Sequence, residues 1–279
     1  MRILLSTIVF ILVVSVRAVS AGTAEPVSFT RGEILSFHYQ SDLLARQYQI
    51  DVLLPKEYDP ENDTVQYPVV YMVDGYLDFP MMAPNFFKQS VTGKIPAFIF
   101  VGIDYVDDSL GKLRRLDLTP TAVDMDGEVQ GGGANQFLEF INKELKPFIN
   151  NTFPADQQDQ TFMGHSLGGL FALHTLFTQP DSFHRYIIAS PSVWWDDKVI
   201  LAKERYYAGY NTDMDKHIFM FVGKEEGFMV KDMKQLVRRL DSRNYPSLKL
   251  SKKVFKGENH LTVPVVGYNF GIREIFKED

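Results

Sequence analysis

Cysteine is absent from this chain of 279 residues. Its absence excludes disulfides, thiolate metal centres, a cysteine nucleophile and a lipidated cysteine, so any nucleophile has to be oxygen or nitrogen. Positive charge is also short: 29 Lys and Arg stand against 35 Asp and Glu, a formal charge of −6. A surface that neutralises phosphates needs the opposite balance, so no nucleic-acid partner is expected. Internal repeats, heptad runs, low-complexity tracts and long linkers are missing too. Asp124, Asp126 and Glu128 hint at calcium but lack the twelve-residue ligand spacing, and they read as a solvated loop. No metal and no cofactor are expected.

The one long apolar run stands at the start. Arg2 precedes a nearly unbroken apolar stretch from Ile3 to Val16, and Val19-Ser20-Ala21 follows ahead of Gly22, the layout of a cleavable secretory signal. Its apolar part falls short of the roughly 20 residues that cross a bilayer. The expected organisation is a signal peptide over 1–21 and a single catalytic domain over 22–279, periplasmic or secreted. No membrane span is expected in the mature chain.

From Phe29 to Tyr39 and from Arg46 to Pro55, apolar and polar residues alternate, as in an antiparallel pair of strands with one wet face. After Pro68 the pattern changes to short continuous apolar runs, Val69–Val73, Ala97–Val101, Tyr186–Ala189 and Ile218–Val222, which suit strands buried on both faces. Helical stripes lie between them, one through Phe137, Leu138, Ile141, Leu145 and Phe148, another through Met229, Met233, Leu236 and Leu240. Pro147 should bend or end the first helix. Strands and helices in alternation imply crossover units, hence an α/β fold with a mostly parallel sheet and helices on both faces. Reactive groups then belong on the loops after the strands, near 73, 103, 165, 190, 222 and 256.

One of those loops carries Gly164-His165-Ser166-Leu167-Gly168-Gly169, after the strand-like Thr161-Phe162-Met163 and before an apolar helix. G-x-S-x-G in that setting forces Ser166 into a strained turn and exposes its hydroxyl at a helix N-terminus. Such a hydroxyl needs a base near neutral pH. Of six histidines, His260 is the one in a turn after the last strand, within Lys256-Gly257-Glu258-Asn259-His260, whereas His165 should point aside from its neighbour Ser166. The acid that orients the imidazole should follow the strand ending at Val222, where Glu226 is preferred and Glu225 is the alternative. The Leu167 N–H supplies one oxyanion donor, and Gly75 or Tyr76, after the strand Val69–Val73, supplies the other.

These motifs, together with Arg114–Pro120, Gly131-Gly132-Gly133-Ala134 and Ser190-Pro191-Ser192-Val193-Trp194-Trp195, resemble the esterase D-like group of α/β hydrolases, and most closely its siderophore-esterase-like branch. The likeness covers nearly all of the mature chain. It implies an eight-stranded α/β-hydrolase sheet and a Ser, acid, His order that agrees with the placement above. The function expected is a serine carboxylic-ester hydrolase acting through an acyl-enzyme on a small-molecule ester such as a siderophore or aryl ester. An acyltransferase, or a binding protein on the same scaffold, are the alternatives. Trp194 and Trp195 could wall an aryl or acyl group or anchor a loop, and Arg115, with Arg114 and Asp117, could meet an anionic substrate or fix a loop.

Overall fold

The computed structural model describes residues 34–62, 64–106, 108 and 111–277. The expected signal segment and the start of the first predicted strand lie outside the described residues. Alternating side chains form the opening pair: in β1 (Ile34–Ser41) Leu35, Phe37 and Tyr39 turn inward, and in β2 (Arg46–Leu53) Tyr48, Ile50 and Val52 are buried. Phe37 faces Ile50 across this antiparallel ladder.

The continuous apolar runs become β3 (Tyr67–Val73), β4 (Ile99–Tyr105), β8 (Arg185–Ala189) and β9 (His217–Gly223). With β7 (Ala155–His165) and β10 (Lys249–Phe255) they complete an eight-stranded sheet in the order β1-β2-β4-β3-β7-β8-β9-β10. Among the described residues of this sheet, the β1–β2 and β2–β4 pairings are antiparallel and the others parallel. A short hairpin, β5 (Ala122–Met125) and β6 (Glu128–Gly131), stands apart from this sheet and takes up the acidic residues 124, 126 and 128. Among the described residues no group of side chains could hold a metal ion.

Both faces of the sheet are covered, as the alternation of burial requires. Val70, Met72, Phe100, Met163, Ile187 and Phe219 pack toward α1 (Gly75–Val91) and α8 (Val263–Ile275). Val69, Tyr71, Phe162, Ile188 and Met220 pack toward the other face, where α3 (Ala134–Phe140), α5 (Leu167–Thr178), α6 (Trp195–Tyr210) and α7 (Phe228–Arg243) lie. Strand order reverses between β3 and β7, since the chain moves outward from β3 to β4 and later from β7 to β10 in the opposite direction. Loops leaving the carboxyl ends of β3 and β7 therefore diverge and leave a crevice, the usual place for a ligand in such sheets.

Pro147 does not end its helix. After α3 the chain takes one wide π-turn over Ile141–Leu145 and continues as α4 (Lys146–Thr152), so the proline enters near a helix start, where its missing N–H is least damaging. Beside it, the Lys146 ammonium is buried, donates to the Ser182 carbonyl and sits 3.9 Å from the Phe183 ring centre. Burial pushes it down to about 7. The folded chain then holds fewer protons than the unfolded chain between about pH 7 and the ordinary lysine value of 10.5, so this group makes stability rise with pH across that window. Urea unfolding at pH 7 and pH 9 should show the native chain gaining of order 2 kcal/mol more than Lys146→Met over that interval. Equal gains would mean that the ammonium is not held neutral.

Candidate active site

The turn after β7 is sharp. Ser166 takes φ 58°, ψ −113°, a conformation that non-glycine residues rarely adopt, and this aims its side chain out of the sheet at the first turn of α5. The turn is over-determined: the Ser166 N–H donates to the Ala189 carbonyl (3.0 Å), and its own carbonyl accepts from Leu170 (3.0 Å) and Ser192 (3.1 Å). Glycine is needed on both sides because backbones touch here. A Cβ on Gly164 would lie 2.5 Å from the Gly168 carbonyl, and one on Gly168 would lie 2.7 Å from the Val73 side chain. That second contact sets the end of β3, and with it residues 74–76, against the nucleophile turn.

Ser166 meets His260 as the loop spacing suggested. The His260 Nε2 lies 3.0 Å from the Ser166 Oγ, and its Nδ1 lies 2.6 Å from the Glu226 Oε2. A carboxylate only accepts, so Nδ1 carries the proton and the Nε2 lone pair faces the serine hydroxyl. The His260 loop is stiffened by Asn259, whose Oδ1 accepts from the Leu261 and Thr262 N–H groups and whose own N–H donates to the Thr262 Oγ1.

Glu226 ends a single 3-10 turn after β9 (Lys224–Glu226), and its side chain is only 1% exposed. Its Oε1 accepts from the Ser190 hydroxyl (2.7 Å) and the Gly223 N–H (2.6 Å). Burial would raise this carboxyl, yet the hydrogen bonds from His260, Ser190 and Gly223 outweigh it and hold the group below the ordinary glutamate range. Glu225, the alternative acid, points into solvent, and only its backbone N–H joins the region, donating to the Glu258 carbonyl.

The expected oxyanion donors flank the same point: Leu167 is the first residue of α5, and Gly75 and Tyr76 are the first two of α1. Trp194 is 43% exposed beside the turn. Trp195 differs from the aromatic-wall reading: it is buried, and its indole N–H donates to the Thr121 carbonyl (3.1 Å). It ties the loop to the hairpin of β5 and β6, and the next three residues, Asp196, Asp197 and Lys198, all take left-handed backbone angles. Arg115 is half-buried on α2 (Lys112–Leu118), and its carbonyl accepts from the Thr119 hydroxyl. Its neighbour Arg114 forks onto Asp74, whereas Asp117 is buried against Arg46 and Tyr48, so these two settle into fold-holding ion pairs.

The packing of His165 on His260 and a cleft beside α1 gave little warning in the sequence. His165 makes no hydrogen bond to Ser166; its ring lies 4.3 Å from that of His260, and burial, with the His260 charge, pushes it down to about 4, so it stays a neutral wall. A cleft of about 440 Å³ opens beside the start of α1, lined by Asp74, Tyr76, Asp104, Tyr105 and Arg114. Burial lifts Asp78 to about 7 and Asp104 to about 6 there, with Asp74 adding to both; backbone N–H groups of Tyr105 and Tyr76 partly offset the rise at Asp104.

A mostly parallel eight-stranded sheet with a serine on the strained turn between a central strand and its helix, faced by a histidine from the last loop, defines an α/β hydrolase. Within that class the chain belongs to the family described as "Putative esterase", matched over residues 41–262, and it is an ester hydrolase. It is 33% identical over 237 residues to the ferri-bacillibactin esterase BesA of Bacillus subtilis, covering 78% of this chain and 81% of that one. It is 36% identical over 178 residues to a siderophore enterobactin esterase of Emericella nidulans, covering 57% and 58% of the two chains. The crystal structure of the BES protein from Bacillus cereus superposes with a TM-score of 0.81 at 34% identity, over 92% of this chain and 99% of that one.

The close contacts at the turn make a sharp steric prediction. Gly164→Ala should lower the unfolding free energy by about 2 kcal/mol or more. Gly209→Ala, in α6 where an added Cβ meets nothing within 4 Å, should be neutral or add up to about 1 kcal/mol. Denaturant titration of both variants checks this, and equal effects would contradict the packing described.

Proposed function

We propose that this protein is an exported serine esterase that cleaves the ester bonds of siderophores through an acyl-enzyme on Ser166. The observation that carries the reading is the unbroken hydrogen-bond chain from the Ser166 Oγ through His260 to Glu226, at 3.0 and 2.6 Å. As the Ser166 oxygen attacks the ester carbonyl, the His260 Nε2 takes its proton, and Glu226 stabilises the imidazolium that forms. The oxyanion is received by the N–H of Leu167 and that of Gly75 or Tyr76, each donor contributing about 3 kcal/mol. His260 returns the proton to the leaving alcohol, and water, activated by the same imidazole, releases the acid.

The substrate class is drawn from the relatives, one named a ferri-bacillibactin esterase and another a siderophore enterobactin esterase. Trp194 at the mouth offers an apolar face, and Arg115 a positive charge, to such a ligand. A signal over 1–21 would be cleaved after Ala21, leaving one catalytic domain over 22–279 outside the cytoplasm, and N-terminal sequencing of the mature protein reads this directly.

The test is a hydrolysis panel of ferric catecholate siderophores, feruloyl sugars and short p-nitrophenyl esters, read by mass spectrometry. Siderophore esters should turn over fastest, and Ser166→Ala should lower kcat by about 10⁴-fold or more. Glu226→Gln should cost about 10²-fold or more, whereas Glu225→Gln should stay within roughly twofold, as expected of a solvated carboxylate. Full turnover by Ser166→Ala would end the reading, and a larger loss at Glu225 would move the acid.

A further inference from the structure

Asp74 is the residue on which the second half of the oxyanion site turns. It takes φ 62°, ψ 39°, a left-handed conformation without being glycine, and its carbonyl accepts from the Leu77 and Asp78 N–H groups to start α1. Gly75 and Tyr76, the alternative sources of the second donor, follow it directly, so the peptide orientation at Asp74 fixes theirs. Its carboxylate also reaches the nucleophile turn: the Oδ2 lies 3.5 Å from the place where a Cβ on Gly168 would be.

A bare carboxylate there would have two effects. It would oppose the negative charge that develops on the substrate oxygen, and it would be free to bond locally and let the strained backbone relax. Arg114 prevents both. Its guanidinium forks onto the two carboxylate oxygens, with the Nη2 2.7 Å from Oδ2 and the Nε on Oδ1, while the Asp74 side chain is only 10% exposed. Arg114 is itself anchored, since the Asp108 carboxylate accepts from the backbone N–H groups of Leu113 (3.0 Å) and Arg114 (2.8 Å) at the start of α2. Asp78 and Asp104 stand nearby with carboxyls raised by burial and by Asp74, but the fork of Arg114 is made to Asp74.

We propose that Arg114 is a positioning residue for the oxyanion hole: by clamping Asp74 it aims the backbone N–H of Gly75 at the substrate carbonyl, the Tyr76 N–H being engaged by Asp104, and cancels a negative charge beside it. This inference rests on Ser166 being the nucleophile. It differs from direct recognition of an anionic substrate by Arg114, which the guanidinium's place in the wall of the cleft also permits.

A double-mutant cycle with p-nitrophenyl acetate, which carries no charge for Arg114 to bind, separates the two. Arg114→Gln should lower kcat by about 10²-fold with KM changed less than about threefold, and should weaken a trifluoromethyl ketone, whose adduct mimics the tetrahedral oxyanion, by a similar factor. Arg114→Gln/Asp74→Asn should be more active than Arg114→Gln alone, because the stranded carboxylate is gone. Arg114→Lys, which keeps the charge without the fork, should fall between native and Arg114→Gln, and it serves as the working variant if Arg114→Gln fails to fold by circular dichroism. Additive losses in the cycle, or an unchanged kcat on the neutral ester, would overturn the proposal. Ser166→Ala runs alongside: turnover in that variant would overturn the nucleophile reading itself, whereas an inactive Ser166→Ala with an additive cycle would overturn the role of Arg114 alone.

Discussion

A turn too sharp for ordinary backbone, at Ser166, is the constraint on which the rest of the site depends. Such a conformation persists only where surrounding structure holds it, and here β7, α5, the Ala189 carbonyl and the Ser192 N–H all do so. Because Gly164 and Gly168 let the two flanking backbones meet, the hydroxyl stands clear of the sheet at a helix N-terminus. The same close packing draws in the end of β3, so the loop with the second expected donor is set by van der Waals contact. Sheet order does the rest, since the reversal between β3 and β7 opens the crevice above this point.

Around that turn, charge is arranged so that little of it is left uncompensated. Glu226 is almost wholly buried, yet three donors meet its two oxygens, which keeps it ionised and able to stabilise a protonated His260. His165 is kept neutral, so it packs on the His260 ring without competing for the proton. On the other side of the crevice Arg114 answers Asp74, while Asp78 and Asp104 are pushed toward their neutral forms. The chain belongs to the family described as "Putative esterase", and a relative named as an esterase matches it over 78% of its length.

Much of this was legible in the sequence because it was encoded locally. G-x-S-x-G between a strand and a helix, and a histidine in the turn after the last strand, need only patterns a few residues long. The mostly parallel sheet followed from continuous apolar runs alternating with helical stripes. What escaped was set by single-residue rotations or by distant contacts. Glu226 is the acid preferred over Glu225 in the sequence, and the one step of a 3-10 turn that separates them is fixed by the folded backbone. Trp195 faces the core and donates to the Thr121 carbonyl 74 positions away, a contact no local window shows. Pro147 was expected to bend or end a helix, but a π-turn absorbs it. The pairing of Arg114 with Asp74 spans 40 positions and that of His165 with His260 spans 95, so neither shows in a local window.

The most direct test of the central claim is peptide-mapped mass spectrometry after brief treatment with a fluorophosphonate at neutral pH. A single adduct on Ser166, formed in the native protein and suppressed in His260→Ala, is the result this account predicts. An adduct on another residue, or labelling of Ser166 that proceeds equally well without the imidazole, would contradict it.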